Sequence, residues 1–126
     1  MVALTPRQAE QIAYDVLSTN DEVLAISIMD TRGNILAAIS KDSFKEAFRV
    51  TRNGDKYGGT LAVANELKYT FGEAQAIIAT YKDCKMMLLP IPSHEILIGF
   101  VLERSAVPED YSLAYKIEKL LAERDH

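Results

Sequence analysis

Residues that commonly build catalytic and metal sites are scarce in this sequence. It contains one cysteine, Cys84, and two histidines, His94 and His126. A single cysteine excludes an internal disulfide and a multi-cysteine metal site, and the histidines lack the close spacing of a histidine metal site. We therefore expect no metal, no cofactor and a reducing cytoplasm as the location of the chain. His94 lies in a proline-flanked turn and is expected to be exposed to solvent.

Long apolar runs and an excess of positive charge are also absent. The longest apolar stretches, such as residues 96–102, have the length of a strand, whereas a membrane helix needs roughly 20 residues. Residues 1–4 are too short for the apolar region of a signal peptide, so no targeting segment is expected. The 14 Lys and Arg against 18 Asp and Glu give a net charge of −4, which argues against a nucleic-acid-binding protein.

The composition is that of a folded domain. Of the 126 residues, 48% are hydrophobic and 25% are charged, and there are only 4 prolines and 6 glycines. These proportions exclude a disordered or low-complexity chain. The length suits one domain over residues 1–126 with a core of its own.

The first third of the chain predicts a helix followed by a β-hairpin. Thr5 begins a capping box ahead of an apolar stripe at helical spacing. Residues 23–29 predict a strand covered on both sides, and residues 35–39 resume the strand pattern. Between them, residues 30–34 supply turn-forming side chains, with Gly33 free to adopt a positive φ.

The middle of the chain predicts one helix, preceded by a short amphipathic segment. Residues 60–71 predict a helix rich in small residues, with an apolar surface wide enough for two partners. Gly54 and Gly59 have the spacing of a phosphate-binding loop, but the signature lysine and the preceding strand are missing, so both are interpreted as turn residues. Residues 41–52 predict a short amphipathic segment at helical spacing, and its basic face carries Lys41, Lys45, Arg49 and Arg52.

The remaining residues predict three strands and a helix. Residues 74–80, 86–89 and 96–102 have strand patterns, and Pro108 is expected to begin the last helix. The short connections between consecutive strands force antiparallel pairing. The order helix, strand, strand, helix, strand, strand, strand, helix therefore predicts an α+β domain, with a five-stranded antiparallel sheet and helices packed on both faces.

No group of residues predicts an enzyme. Cys84 and His94 would lie at opposite ends of one strand, too far apart for a nucleophile and its base. Met86 and Met87 lie within an apolar strand and are interpreted as core packing. Because no nucleophile, base and orienting group occur at an interpretable spacing, we expect no enzymatic activity.

The basic face of residues 41–52 leaves two interpretations open. Several cations on one helical face of an acidic chain favour docking of an acidic partner. Acidic residues within the same segment dilute the patch, as on an ordinary solvated helix face. Phe44 and Phe48 fall on the apolar side, where they are unavailable for base stacking, so no nucleic acid is expected.

The strand predicted at residues 74–80 indicates how the chain could self-associate. It contains no charged residue and no proline, although natural proteins usually block an exposed sheet edge with such residues. Either another strand of the chain covers it, or a second copy of the chain pairs with it. The sequence favours the second copy.

Three parts of the chain, taken with the order of its elements, match a known pattern. They are the first hairpin at residues 25–30, 32–34 and 35–37, the small-residue helix at 60–71, and the meander at 75–81, 85–90 and 95–102. In these features the chain resembles the roadblock/dynein light chain family over nearly its whole length, although residues 41–59 are longer and more basic than the family's connection. Profilin-like and longin-like domains share the same layers.

The resemblance implies a homodimer or heterodimer without enzymatic activity, in which central helices pack together and edge strands join two sheets. Small Ras-like GTPases are the typical partners that it implies. We accordingly predict a partner-binding surface formed by Lys45, Arg49 and Arg52. The predicted self-association surface comprises residues of the central helix and the third strand, namely Ala62, Val63, Glu66, Ile77 and Ala79.

A small-ligand sensor is the alternative prediction. Sheet-and-helix domains of this layering can hold a metabolite between the sheet and a neighbouring segment. Here the pocket would lie between the sheet and residues 41–59, with Tyr57, Tyr69 and Tyr81 as its lining.

Overall fold

The structure is a computed structural model of the chain, and it describes residues 4–41, 75–108 and 111–124. The predicted helix at residues 60–71 and nearly all of the amphipathic segment at 41–52 lie outside these ranges. The described elements are α1 (Pro6–Thr19), β1 (Val23–Asp30), β2 (Ile35–Ser40), β3 (Ile77–Thr80), β4 (Cys84–Ile91), a 3₁₀ turn (Pro92–His94), β5 (Ile96–Glu103) and α2 (Ser112–Arg124).

The five strands form one antiparallel sheet. Their spatial order is β2-β1-β5-β4-β3, and each neighbouring pair is antiparallel. β1 and β5 occupy the middle, whereas β2 and β3 lie at the two edges. The predicted α+β class and the five-stranded antiparallel sheet are confirmed.

α1 begins and ends with side-chain hydrogen bonds to its own backbone. Thr5 Oγ1 accepts from the Gln8 N–H at 3.2 Å, and Gln8 Oε1 accepts from the Thr5 N–H at 3.0 Å, which confirms the predicted capping box. At the other end, Asn20 Nδ2 donates to the Val16 carbonyl at 2.9 Å. Lys116 Nζ of α2 donates to Asn20 Oδ1, so the end of α1 is also joined to α2.

The hairpin between β1 and β2 is organised by Asp30. Asp30 Oδ1 accepts from the backbone N–H groups of Arg32 and Asn34, both at 2.9 Å, and Asp30 Oδ2 accepts from Asn34 Nδ2 at 2.9 Å. Burial raises the pKa of the Asp30 carboxyl, but the hydrogen bonds from Asn34 and Arg32 outweigh burial and lower it below its ordinary value of 3.8. Gly33 has φ 88°, which confirms the predicted positive φ.

Both described helices cover the same face of the sheet. α1 and α2 direct their apolar stripes into one core, where Phe100, Ile26 and Ile98 are fully buried. The stripe predicted for α1 is confirmed, because all five of its members are buried, namely Ala9, Ile12, Ala13, Val16 and Leu17. We call this side of the sheet the helix-covered face.

The opposite face of the sheet is also apolar. Its buried residues form two clusters, one around Met29, Leu88 and Leu97 and one around Leu24, Ala25 and Val101. Neither cluster contains a residue of α1 or α2. The strands are therefore buried on both sides, as their apolar sequences predict.

β3 and β4 differ in length from their predictions. β3 begins at Ile77 rather than at residue 74, because only four of its residues lie opposite residues of β4. β4 is longer than residues 86–89 and includes Pro90. Pro90 pairs with Leu97 of β5 but lies beyond the pairing with β3, so the N–H that proline lacks is not required by any strand that the structure describes.

The last helix begins later than predicted. It starts at Ser112 rather than at Pro108, because Tyr111 has φ 59° and cannot continue a right-handed helix. The Tyr111 N–H donates to the Pro108 carbonyl at 3.1 Å and the Tyr111 carbonyl accepts from the Tyr115 N–H at 3.1 Å. Tyr111 thus separates a turn from the helix that follows it.

Two predicted environments are also wrong. His94 is buried at 8% exposure, because its connection is a 3₁₀ turn closed by the Glu95 N–H donating to the Pro92 carbonyl rather than an open surface loop. Lys41 lies on no helix. Its N–H donates to the Leu24 carbonyl at 2.9 Å, which extends the pairing of β2 with β1 by one residue.

Candidate interaction surface at the sheet edge

β3 presents unpaired backbone groups at one edge of the sheet. The Tyr81 N–H donates to the Cys84 carbonyl at 2.8 Å, and residues of an antiparallel strand alternate between bonding to a neighbour and facing away from it. Ala79 and Ile77 therefore bond to β4. The N–H and C=O groups of Ile78 and Thr80 point away from β4, and no other described strand pairs with them.

The side chains of β3 lie on both faces of the sheet. Ile77 pairs with Leu88 on the face opposite the helices, and Ala79 pairs with Met86. Ile78 pairs with Met87 on the helix-covered face. Ile77 and Ile78 are half-buried, whereas Ala79 is exposed. An apolar surface therefore continues up to the open edge of the sheet.

The nearest lysine on the neighbouring strand does not block this edge. Lys85 lies opposite Thr80, but its Nζ donates to the Ala106 carbonyl at 2.6 Å. The ammonium group is thereby held at the loop that follows β5. Edge lysines discourage strand addition when they extend along the open side, and Lys85 does not extend there.

Only part of the predicted interaction surface lies within the part of the chain that the structure describes. Ile77 and Ala79 lie on one face of β3, and their part in self-association stays a prediction. The remaining predicted residues lie outside the described ranges, namely Ala62, Val63 and Glu66 of the self-association surface and Lys45, Arg49 and Arg52 of the partner-binding surface.

The lining predicted for a ligand pocket is not brought together by the described residues. Tyr57 and Tyr69 lie outside them, and Tyr81 is 55% exposed at the β3–β4 turn. An open groove of about 470 Å³ lies elsewhere, between α1 and β2 and beside the end of α2. The sequence prediction missed this groove, because nothing in the sequence indicates how far α1 extends over β2.

The described residues contain no recognisable catalytic or metal centre. Cys84 begins β4 and His94 lies three residues beyond its last residue, Ile91, so the two lie at opposite ends of one strand, as predicted. Burial and then the nearby Asp83 carboxylate raise the pKa of the Cys84 thiol, which disfavours the nucleophilic thiolate. Within residues 4–41, 75–108 and 111–124, no three His, Cys, Asp or Glu side chains form a metal-binding group.

Met86 and Met87 have the packing role predicted for them. Met87 is buried at 2% exposure in the core beneath α1 and α2, and Met86 is half-buried against the clusters of the opposite face. The helices among the described residues are also all too short or too polar to cross a membrane.

Solved structures share this arrangement of strands and helices. A roadblock/LC7 domain from Streptomyces avermitilis superposes with a TM-score of 0.69 over 93% of this chain and 98% of that chain, at 9% sequence identity. The chain has the roadblock fold. A structure of MglB with a tetrameric arrangement has a TM-score of 0.63 over 94% of this chain and 91% of that chain, at 17% identity.

The roadblock fold is shared here without close sequence similarity. No protein-family model matches the chain, and no curated protein matches it in sequence. A profilin from a complex with rabbit actin, LokiProfilin1, has a TM-score of 0.54 over 94% of this chain and 96% of that chain, at 15% identity. That profilin thus has a similar arrangement of strands and helices, so the fold alone does not identify the partner of this chain.

Proposed function

We propose that the chain is a non-enzymatic interaction module that forms a homodimer through the open edge of β3. The observation that carries the proposal is the pair of outward-directed backbone positions, Ile78 and Thr80, on a strand without charge or proline. Two copies of β3 can satisfy each other's groups by antiparallel pairing across a twofold axis. The two sheets then form one sheet of ten strands.

Side chains next to the edge support this pairing. Ile77 and Ala79 lie on the face opposite α1 and α2, where Met86 and Leu88 continue the apolar surface. The helix predicted at residues 60–71 supplies Ala62, Val63 and Glu66 to the same interface in this proposal. The tetrameric arrangement of MglB supports self-association as a property compatible with the fold.

The dimer binds an acidic surface of a partner through Lys45, Arg49 and Arg52 in this proposal. The chain as a whole carries a net charge of −4, so a local group of three cations would direct such a partner to one place on it. The family resemblance makes a small Ras-like GTPase of the cytoplasm the proposed partner. No observation among the described residues favours the ligand sensor.

A proline at Thr80 tests the proposed dimer. Because the Thr80 N–H points away from β4, Thr80→Pro removes an edge donor without removing a bond within the sheet. We expect wild type to have twice the 14.0 kDa monomer mass at micromolar concentration, and Thr80→Pro to have the monomer mass, measured by light scattering after gel filtration. Thr80→Ala, which keeps the N–H, is the matched control and remains dimeric.

A second variant examines the predicted helix. Ala62→Arg places a charge on the proposed interface and is expected to give a soluble monomer. A dimer that persists in Thr80→Pro at micromolar concentration contradicts pairing through β3. A dimer that persists only in Ala62→Arg removes residue 62 from the interface. A monomeric wild type that retains a small molecule in native mass spectrometry contradicts the whole proposal and supports the sensor.

A further inference from the structure

β2 is the second open edge of the sheet. The Lys41 N–H donates to the Leu24 carbonyl at 2.9 Å, so by alternation the neighbouring Ile39 also bonds to β1. Ala38 and Ser40 therefore direct their N–H and C=O groups away from β1. None of the described strands pairs with this side of β2.

The usual protection of an edge strand is missing from β2. Residues Ile35–Ser40 include no charged residue and no proline. Lys41 follows directly, but its Nζ donates to the Asp21 carbonyl at 2.9 Å, which holds the ammonium group against the chain. Edges of this kind are available for pairing with a further strand.

A groove runs along α1 beside this edge. Arg7, Glu10 and Tyr14 of α1 line it together with Ile39 of β2. Tyr14 is 63% exposed, and within the part of the chain that the structure describes, neither Arg7 nor Glu10 takes part in an ion pair. The edge is thus flanked by an exposed aromatic ring and by charges of both signs, since Asp15 and Arg124 also line the groove.

We propose that the β2 edge is a second self-association surface, where β2 of one chain pairs antiparallel with β2 of a second copy. Paired strands lie about 4.8 Å apart, and α1 contacts the edge strand β2 more extensively than it contacts β1. The two copies of α1 would then lie side by side across the twofold axis, where helices can pack against each other at about 8–10 Å. A second copy can therefore pair with this edge through β2 and pack against it through α1.

The charges on α1 favour a second copy over an unrelated strand. A twofold axis makes the two copies of α1 antiparallel, so Arg7 of each chain can face Glu10 of the other. One residue pair then provides two reciprocal ion pairs, with Tyr14 packed beside them. Because β2 carries no charge, it is better suited to pair with β2 of a second copy than with a charged peptide.

The pairing through β2 would extend the assembly beyond a dimer. This consequence rests on the proposed function, because a chain with twofold contacts at both β3 and β2 joins dimers into tetramers or longer assemblies. The β2 contact itself does not depend on the β3 contact. The two can therefore be tested separately.

The first experiment measures mass by analytical ultracentrifugation over a concentration series. Wild type is expected to exceed the dimer mass as concentration rises, whereas Ala38→Pro stops at the dimer, because it removes an edge donor and no bond to β1. Ala38→Ser keeps the N–H and serves as the matched control, with the mass of wild type. If Ala38→Pro has the same mass as wild type, the proposal is overturned. The same result is expected if β2 instead pairs with a peptide of another protein.

A charge exchange keeps the test decisive if the proline variant does not fold. Arg7→Glu places like charges opposite each other in the twofold pair, and we expect it to weaken the second association step about tenfold. Arg7→Glu combined with Glu10→Arg restores the opposite charges and is expected to restore the wild-type step. Equal association in all three proteins overturns the proposal.

The masses of the variants show which of the two proposed contacts is absent. If only the β3 dimer is wrong, Thr80→Pro matches wild type and Ala38→Pro is a monomer. If only the β2 contact is wrong, Ala38→Pro matches wild type and Thr80→Pro is a monomer. If both contacts exist, Thr80→Pro is a monomer at micromolar concentration, each single variant stops at a dimer at high concentration, and the double variant stays a monomer throughout.

Discussion

At the scale of single residues, Asp30 shows how one side chain fixes a turn. Its carboxylate accepts three hydrogen bonds within the loop that joins β1 to β2. These bonds favour the ionised form, which is why the pKa is lowered although burial acts in the opposite direction. This turn connects β1 to β2, which lies at the edge of the sheet.

The lowered pKa of Asp30 predicts a loss of stability in acid. Because the folded-state pKa lies below the unfolded value, the stabilisation is fully present above the unfolded pKa and is lost as pH falls through the folded-state pKa. Asp30→Asn should lower the free energy of unfolding by about 1 kcal/mol at pH 7, and by less near pH 3. Denaturant unfolding at both pH values measures the difference.

Asp21→Asn is the control for this prediction. Asp21 also lies in a turn beside β1, but only its backbone carbonyl takes part in a described hydrogen bond. We expect the control to change stability equally little at both pH values. A loss in Asp30→Asn that is the same at pH 7 and pH 3 would contradict the assigned role of the carboxylate.

At the scale of elements, α1 depends on its first turn. Thr5 and Gln8 exchange hydrogen bonds there, and the helix then lies over β2 beside the open groove. The cap thus supports the element that carries Arg7, Glu10 and Tyr14. Its contribution can be measured without touching the core.

Removing the cap of α1 is expected to destabilise the chain moderately. Thr5→Ala leaves the Gln8 N–H without its side-chain acceptor and should cost about 1 kcal/mol, which lowers the melting temperature by about 4 °C. Thr5→Ser keeps the hydroxyl and should retain most of the stability. Calorimetry of the three proteins checks this, and equal losses in both variants would show that the methyl group matters rather than the cap.

Elements with a local cause were predictable from the sequence. The capping box of α1 and the turn at Gly33 depend on neighbouring residues, and the structure confirms both. Boundaries that depend on distant residues were not. The length of β3 is set by its register with β4. The late start of α2 depends on the positive φ of Tyr111, which a tyrosine rarely adopts and which the sequence therefore does not indicate.

The candidate site was also only partly predictable from the sequence. The absence of charge in residues 74–80 predicted a strand suited to an open edge, and β3 lies at an edge of the sheet. The helix positions of the predicted surface lie outside the described residues and stay predictions. The β2 edge was missed, because a hairpin strand of this sequence can equally be covered by a third strand, and only the sheet order decides between the two.

At the scale of the whole molecule, the proposed partner-binding surface predicts a strong dependence on charge. Replacing Lys45, Arg49 and Arg52 together by Glu changes the local charge from +3 to −3, and should weaken capture of a purified small Ras-like GTPase at least about tenfold at low salt. Surface plasmon resonance at two salt concentrations measures the loss, which should shrink as salt increases.

The matched control for this surface exchanges charge elsewhere on the chain. Lys82 lies at the exposed β3–β4 turn, and Lys82→Glu changes the net charge without altering the proposed surface. Capture that is unchanged in the triple variant means that the basic residues are ordinary solvated side chains. The mass of each variant should stay that of wild type, so that altered assembly is not mistaken for altered binding.

The order of the strands also governs how the chain folds. The central pairing of the sheet joins β1 to β5, from Val23 with Leu102 to Asp30 with Ile96, so it brings together the two ends of the chain. The hairpins β1–β2 and β3–β4 need only local loop closure and should form early. The central pairing should form later, because closing the long loop between β1 and β5 costs more conformational entropy. During synthesis on a ribosome, β1 therefore remains without its central neighbour until most of the chain has emerged.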